Sequence, residues 1–410
     1  MHGDLRGWPA CLTAGAVFAV CMAGTTLPTP LYPLYQDKFG FSELTVTVVY
    51  AVYAAGVIGT LLLAGNASDA VGRRPVLLWG MVFAAASAAC FLAATALGWL
   101  YAGRLLSGLS AGLFTGAATA YVIELAPKAG GSRATFVATA ANMGGLGCGP
   151  LLAGVLAQYA EWPLYLPFIV HLGLVAVCSA VILLWLPETV RDRRPLHTVR
   201  PQRPALPPSV RAVFGPAAIA SFVGFALFGV FTAVSPAFLA ESLDVHNHAL
   251  TGLVVALAFF SSTAGQLAVG WVGVTRSLPL GCAALLVGLA LLAGALVWDL
   301  LALVVLSAVV GGAGQGLSFR AAMSAVAGAT EPERRAAVIS ALFVVAYFGI
   351  SVPVIGVGLL VEPIGLEGAG LVFIACMAFL VSTAGFYLLR HPVAAAGPAA
   401  AGRQEQPDAH

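Results

Sequence analysis

Charge is what this chain has least of. Of its 410 residues, 9% are charged and 60% are hydrophobic, against about 25% charged in a soluble domain. So few charges cannot coat a surface in water, which excludes a soluble fold and leaves a chain whose surface mostly meets lipid. Short catalytic signatures are missing too. There is no G-x-x-x-x-G-K-[ST], no HExxH and no CxxC, which argues against direct use of ATP, zinc-dependent hydrolysis and thiol-held metal. The seven Cys lie inside apolar runs and read as small buried hydrophobes. No cofactor, no metal and no nucleic-acid partner is expected. Carboxylates are also absent from the middle of every apolar run.

Long apolar runs are what the chain has most of. A bilayer core about 30 Å thick takes about 20 apolar residues per helix. Twelve runs qualify, at 10–35, 44–65, 75–96, 98–124, 134–158, 164–186, 213–239, 249–272, 278–297, 300–327, 336–360 and 367–389. The first is too long for a signal h-region and continues into "PTPLYPLYQ", so it is expected to stay as a helix. With the N-terminus in the cytoplasm, sixteen of the nineteen Lys and Arg fall on the inner side. Lys38 falls outside, and Arg104 and Arg320 lie within the runs. A missed span would scramble this segregation. Twelve spans, cytoplasmic termini and a plasma or inner membrane are therefore the expectation.

The longest connection, 187–211, holds six Pro and six Arg and reads as a cytoplasmic linker between a bundle at 1–186 and a second at 212–390. The tail, 391–410, is of low complexity and expected to be disordered. The two halves echo each other. "RLLSGLSAG" (104–112) aligns with "GAGQGLSFR" (312–320), "RATFVATAANMGGLG" (133–147) with "RAAVISALFVVAYFG" (335–349), and "TP" (29–30) with "SP" (235–236). Parallel six-span repeats are a transporter architecture with its site between the halves. The fold class expected is all-α integral membrane, with 12 transmembrane helices in two pseudo-symmetric six-helix bundles.

Between spans 2 and 3 stands "GNASDAVGRRP" (65–75). Topology accounts for Arg73 and Arg74, but not for Asp69 or for Gly65 and Gly72. The pattern G-x-x-x-D-x-x-G-R-R resembles the loop signature of the major facilitator superfamily. Twelve spans, the linker after six and "PET" (187–189) fit the same family, so the resemblance covers about 1–390. It implies a cytoplasmic gate in which Asp69 docks on the start of span 11, near Arg335–Val338, and Glu124 partners the loop arginines. The matching loop of the second half, "GWVGVTRSLP" (270–279), has no acid, so the gate is assigned to the first half.

Arg104 lies about seven residues into span 4, where a cation costs about 2.5–3.5 kcal/mol and faces the bundle interior. "RLLSGLSAG" resembles the span-4 motif of facilitator transporters, which links this arginine to proton coupling; a structural arginine bonded to backbone carbonyls is the other reading. Asp37, at the outer end of span 1, is the carboxylate nearest a cavity and a second coupling candidate. "GLGCGPLLAG" (145–154) resembles the span-5 signature of drug–proton antiporters at Gly145, Gly149, Pro150 and Gly154. Small residues let helices approach and the proline kinks the span.

The same architecture implies a substrate cavity lined by spans 1, 4, 7 and 10. Candidates are Thr25, Thr26, Thr29, Tyr32, Tyr35, Gln36, Tyr50, Tyr53, Asn142, Gln266 and Arg320, the last equally explained by snorkelling. Span 7 adds Phe222, Phe225, Phe228 and Phe231, whose spacing walks half-way round a helix, so about half are expected to face lipid. His171, the one histidine inside a span, reads as a satisfied packing residue. The function expected is export of small, largely apolar or aromatic molecules by alternating access, driven by proton antiport in a monomer. An uptake symporter is the alternative, and a membrane enzyme or scaffold a remote one.

Overall fold

The structure, a computed structural model, describes residues 5–195, 201, 206–331 and 334–391. The expected disordered tail lies, after His391, outside the described residues, as do parts of the linker. No strand occurs among the described residues. Eleven helical runs are long and apolar enough to cross a membrane. The last, α15 (Arg335–Arg390), has 56 residues, about 80 Å of helix and so two crossings. Gly365 breaks it, with φ 75 and ψ 169. Twelve crossings result.

Two expected spans are interrupted. The first divides into α1 (Trp8–Thr26), a 3-10 turn (Thr29–Leu31) and α2 (Tyr32–Phe39). Pro28 and Pro30 have no N–H to continue the α-helical ladder. The seventh divides into α10 (Arg211–Ala233) and α11 (Ser235–Glu241), beside Pro236. The repeated "TP" and "SP" therefore mark helix breaks. The others are α3 (Glu43–Ala64), α4 (Ala67–Val71), α5 (Arg73–Leu92), α6 (Leu97–Leu125), α7 (Gly131–Thr139), α8 (Gly145–Tyr159), α9 (Leu166–Leu184), α12 (His248–Val272), α13 (Val274–Trp298) and α14 (Leu301–Gly328). Trp99, Trp162, Trp185, Trp271 and Trp298 are exposed at or near helix ends, where an aromatic belt meets the bilayer interface.

The described residues divide into two compact units. One lies within Met1–Gln202 together with Ser235–Phe259, the other within Arg203–Val234 together with Phe260–His410. In the first unit α6 packs on α1, α3 and α5, while α1 also packs on α8 and α5 on α9. Missing side chains set these approaches. A Cβ on Gly108 would collide with the Tyr53 carbonyl of α3, and one on Gly149 with the Ala23 carbonyl of α1. Gly154 meets the backbone of His248, and Gly252 that of Pro150. The His248 N–H donates to Gln158 Oε1 at 2.8 Å. These contacts hold the start of α12, expected within 212–390, in the first unit.

In the second unit α10 is packed by α14 and α15, and α13 by α14 and α15. The expectation that about half of the α10 phenylalanines face lipid is corrected. Phe225, Phe228 and Phe231 are 7%, 2% and 1% exposed, and Phe222 is intermediate. From Val223 to Ala233 helix α10 is buried on every face, so its angular spread of Phe has core to meet all round.

Overpacking a close helix crossing costs about 1–3 kcal/mol. Gly149→Val should therefore lower the thermal midpoint of the detergent-solubilised protein. Gly59→Ala, where a Cβ meets nothing within 4 Å, should leave it in place; equal midpoints for the two variants would contradict this packing.

Candidate functional site

The loop signature folds into a connected polar cluster. Helix α4 carries Asp69, and α5 begins at Arg73. Gly72 between them has φ 115, a region open to glycine, and a Cβ there would lie 2.6 Å from Glu188 Oε2. Gly273 stands at the equivalent N-cap of α13 with φ 83, so the second half keeps the turn after losing the acid. Gly65 has an ordinary α conformation. The buried Arg73 guanidinium reaches three side chains. Nη1 lies 2.6 Å from both Asp69 Oδ1 and Ser68 Oγ. Nη2 and Nε reach Glu124 Oε1 and Oε2 at 2.8 and 3.3 Å. That bidentate pair fixes the Arg geometrically as well as electrostatically. Arg74 turns away and donates to the Leu183 carbonyl at 2.8 Å.

Glu188, quoted in "PET" but given no role, ties the cluster together. Its Oε1 accepts the Arg73, Thr189 and Val190 N–H groups at 2.9, 3.0 and 3.1 Å, and its Oε2 accepts Arg74 N–H at 3.1 Å. A carboxylate on free N–H groups at a helix start satisfies donors the helix cannot satisfy itself. Thr189 Oγ1 donates to Glu124 Oε2 at 2.5 Å, Tyr121 OH to the Pro187 carbonyl at 2.5 Å, and Arg194 N–H to the Ala70 carbonyl at 2.7 Å. The start of the linker is strapped onto the loop. The sequence signal was the acid directly after Pro187 at the end of span 6.

Arg104 is 1% exposed. Its Nη1 donates to the Thr25 carbonyl, and Nη2 makes a long contact of 3.5 Å with the Tyr50 carbonyl. Its guanidinium carbon stands 4.6 Å from the Tyr53 ring centroid and 5.2 Å from that of Tyr50. No carboxylate pairs with it among the described residues. Thr25 supplies the acceptor because α1 stops at Thr26, where terminal carbonyls and the helix dipole favour a cation. A charged hydrogen bond contributes about 1.5–3 kcal/mol and ring stacking about 0.5–2, which offsets the cost of about 2.5–3.5 for a cation at depth and leaves little surplus.

The remaining expected residues divide by place. Thr29, Tyr32 and Tyr35 are buried, and Tyr35 packs against Phe39 and Phe91. Gln36 donates to Glu43 Oε1 at 2.6 Å, while Asp37 is exposed. Thr26 Oγ1 donates to the Leu146 carbonyl at 2.7 Å, and Asn142 is half-buried in a π-turn (Ala140–Gly144) just before Gly145. Gly145 and Gly149 both face α1, Pro150 lies inside α8, and Gly154 faces His248. In the second unit Gln266 Nε2 lies 3.4 Å from Ser262 Oγ, which donates to Gln315 Oε1 at 2.6 Å. Gln315, fully buried, was missed. Arg320 is half-buried. Phe228 belongs to an aromatic cluster in which Phe225 lies 5.0 Å from Phe319, 5.9 Å from Tyr347 and 6.5 Å from Phe228 between centroids, with Phe343 beside both Phe319 and Tyr347. Only tertiary packing could gather these rings from α10, α14 and α15.

This loop, this arginine and this helical architecture define a class, and comparison with known proteins agrees. The profile of the Major Facilitator Superfamily matches residues 14–296, and the chain belongs to that superfamily. It is 30% identical over 196 residues to the puromycin resistance protein pur8 of Streptomyces alboniger, covering 48% of this chain and 38% of that one. It is 32% identical over 174 residues to the class B tetracycline resistance protein of Escherichia coli, covering 42% of each. The matched stretch is thus about two fifths of either relative. The uncharacterized MFS-type transporter YceJ of Bacillus subtilis (strain 168) is 28% identical over 288 residues, 70% of this chain and 71% of that one. Among solved structures, a POT family transporter in complex with 5-aminolevulinic acid superposes with TM-score 0.75 at 13% identity over 95% of this chain and 98% of that one. A bacterial Spinster homologue, inward-facing and unoccupied, gives 0.70 at 14% identity over 93% and 97%. At these identities the likeness is one of fold.

Glu188→Ala leaves four backbone donors without their acceptor. At about 1–3 kcal/mol for an unmet buried donor, the variant should lose thermal stability and become cleavable by trypsin between Arg191 and Arg194; a wild-type digestion pattern would contradict the strap. Arg104→Lys removes the fork that reaches Thr25 while stacking on Tyr53, and should cut transport about tenfold or more at unchanged protein level in the membrane.

Proposed function

We propose that this protein is a secondary active transporter that exports small, largely apolar or aromatic molecules by alternating access, with protons moving the other way. The observation that carries the reading is Arg104, a buried cation held by backbone carbonyl and tyrosine faces rather than by a carboxylate. An intramembrane charge without a partner of opposite sign marks a functional site, and its grip on the broken end of α1 ties that charge to a helix that must move. Direction follows from Gly145, Gly149, Pro150 and Gly154, and is supported by relatives named for resistance to puromycin and tetracycline. Substrate chemistry follows from the Phe225–Phe228–Phe319–Phe343–Tyr347 cluster, which offers ring faces and no formal charge.

In this reading the basic loops lie in the cytoplasm of a cell whose plasma or inner membrane holds the carrier, and the protein works as a monomer of two six-helix halves. The Asp69–Arg73–Glu124 cluster is a cytoplasmic gate. Asp69, 65% exposed beyond its pair with Arg73, is free to engage the start of the eleventh span and release it as the carrier opens inward.

Proteoliposomes with an imposed pH gradient test the proposal, with tetracycline, puromycin and ethidium as probes. An acidic lumen should drive probe into the vesicle; accumulation driven instead by an alkaline lumen rejects antiport. In the same assay Asp69→Asn should lower transport several-fold, about the size of a coupling of 1–3 kcal/mol, with little loss of protein from the membrane. Near-normal transport would remove the gate.

A further inference from the structure

Buried polar atoms without hydrogen-bond partners are rare in folded proteins and call for an explanation. Among the described residues eight side-chain atoms are of this kind, and five of them belong to Tyr32, Tyr35, Arg104, Ser107 and His171. These five are neighbours. Ser107 follows Arg104 by one turn of α6, and Tyr35 follows Tyr32 by one turn of α2. Ser107 and His171 line one small cavity with Thr25, whose carbonyl holds Arg104. Phe168, also at that cavity, stacks on Phe91 at 4.7 Å, and Phe91 packs against Tyr35 at 6.2 Å.

His171 is therefore not the satisfied packing residue its sequence position implied. It is 2% exposed, its Nδ1 has no partner, and its ring lies so close to Gly24 that a Cβ there would collide with it. The cavity encloses about 10 Å³, room for about one water and for no organic solute. What such a site can take is a proton. Helix α1 brings the Cys21 thiol, 3.3 Å from Ser110 Oγ, and α6 brings Ser107 and Ser110, while Arg104, one turn before Ser107, is not in the lining. Helix α5 brings Ala84, Ser87 and Ala88, and no side chain of α8, which also packs on α9, lines it. On α9 itself Cys178 lies two turns further on. No carboxylate lines the cavity. Histidine is the one side chain among the lining groups whose unperturbed form changes charge between about pH 5 and 8.

We propose that His171 is the residue that carries the coupled proton. The inference rests on the antiport reading. A proton taken from water on one side adds to a ring nitrogen of the imidazole. When the cavity closes again, burial disfavours the imidazolium, the N–H bond breaks, and the proton leaves to water on the other side. Only that N–H bond forms and breaks.

The test uses full-length protein in proteoliposomes with tetracycline, puromycin and ethidium as probes. Gradient-driven accumulation is measured beside probe-for-probe exchange at equal pH on both sides. In H171Q gradient-driven accumulation should fall about tenfold or more, and exchange should cease to vary between about pH 5 and 8. S107A keeps the imidazole and should shift the pH midpoint of exchange. H171Q with a wild-type pH profile, at full rate or with both assays reduced in proportion, overturns the inference, because a merely structural histidine behaves that way. H171N stands in if the glutamine variant does not elute as a single species, and if neither folds, an unshifted S107A profile overturns it. A wild type indifferent to the gradient for all three probes defeats the antiport reading and this inference with it. A coupled wild type with a coupled H171Q defeats this inference alone.

Discussion

A guanidinium sunk in an apolar bundle has to be answered by something, and in this protein the answer comes from backbone. Arg104 meets the Thr25 carbonyl at the point where two prolines stop the first helix. The break is what makes an acceptor available, and the cation is what makes the break tolerable in lipid, where an unmet carbonyl is costly. The approach of α3 to α6 depends in turn on Gly56 and Gly108, which let backbone touch backbone.

The loop between the second and third spans works by the opposite device. There charges answer charges, with Arg73 between Asp69 and Glu124, and Glu188 collecting the free N–H groups at the start of α5. Exposed ion pairs contribute little by themselves. This group is a network, partly buried and strapped to the chain leaving span 6, and it gains from geometry that lone pairs lack. The two sites are built in opposite ways. One is a marginally balanced buried charge. The other is a well-satisfied surface cluster suited to hold one arrangement.

Much of this was legible in the residues. Twelve apolar runs and the segregation of Arg and Lys specify a polytopic helical protein, because the bilayer imposes length and charge rules that act on sequence directly. The repeat of "TP" and "SP" was visible, but the breaks beside Pro28, Pro30 and Pro236 were not read from it. Arg104 stood out because a cation in an apolar run is costly wherever it points. Less legible were residues whose role depends on what faces them. Glu188 looked like the end of a family motif, Gln315 like any residue of a small-residue helix, and the phenylalanines of α10 like a ring shared with lipid.

Sequence by itself thus determined the number of spans, the family and the unusual charges, for each is fixed by local chemistry against a uniform solvent, the membrane. Tertiary structure alone decided that Arg104 rests on a carbonyl, that Glu188 ties the linker to the loop, and that His171 shares a cavity with Ser107. Those facts are pairings between helices dozens of residues apart. Which side chains meet there depends on helix rotation and on ångström-scale approach at glycines, quantities that no linear pattern encodes.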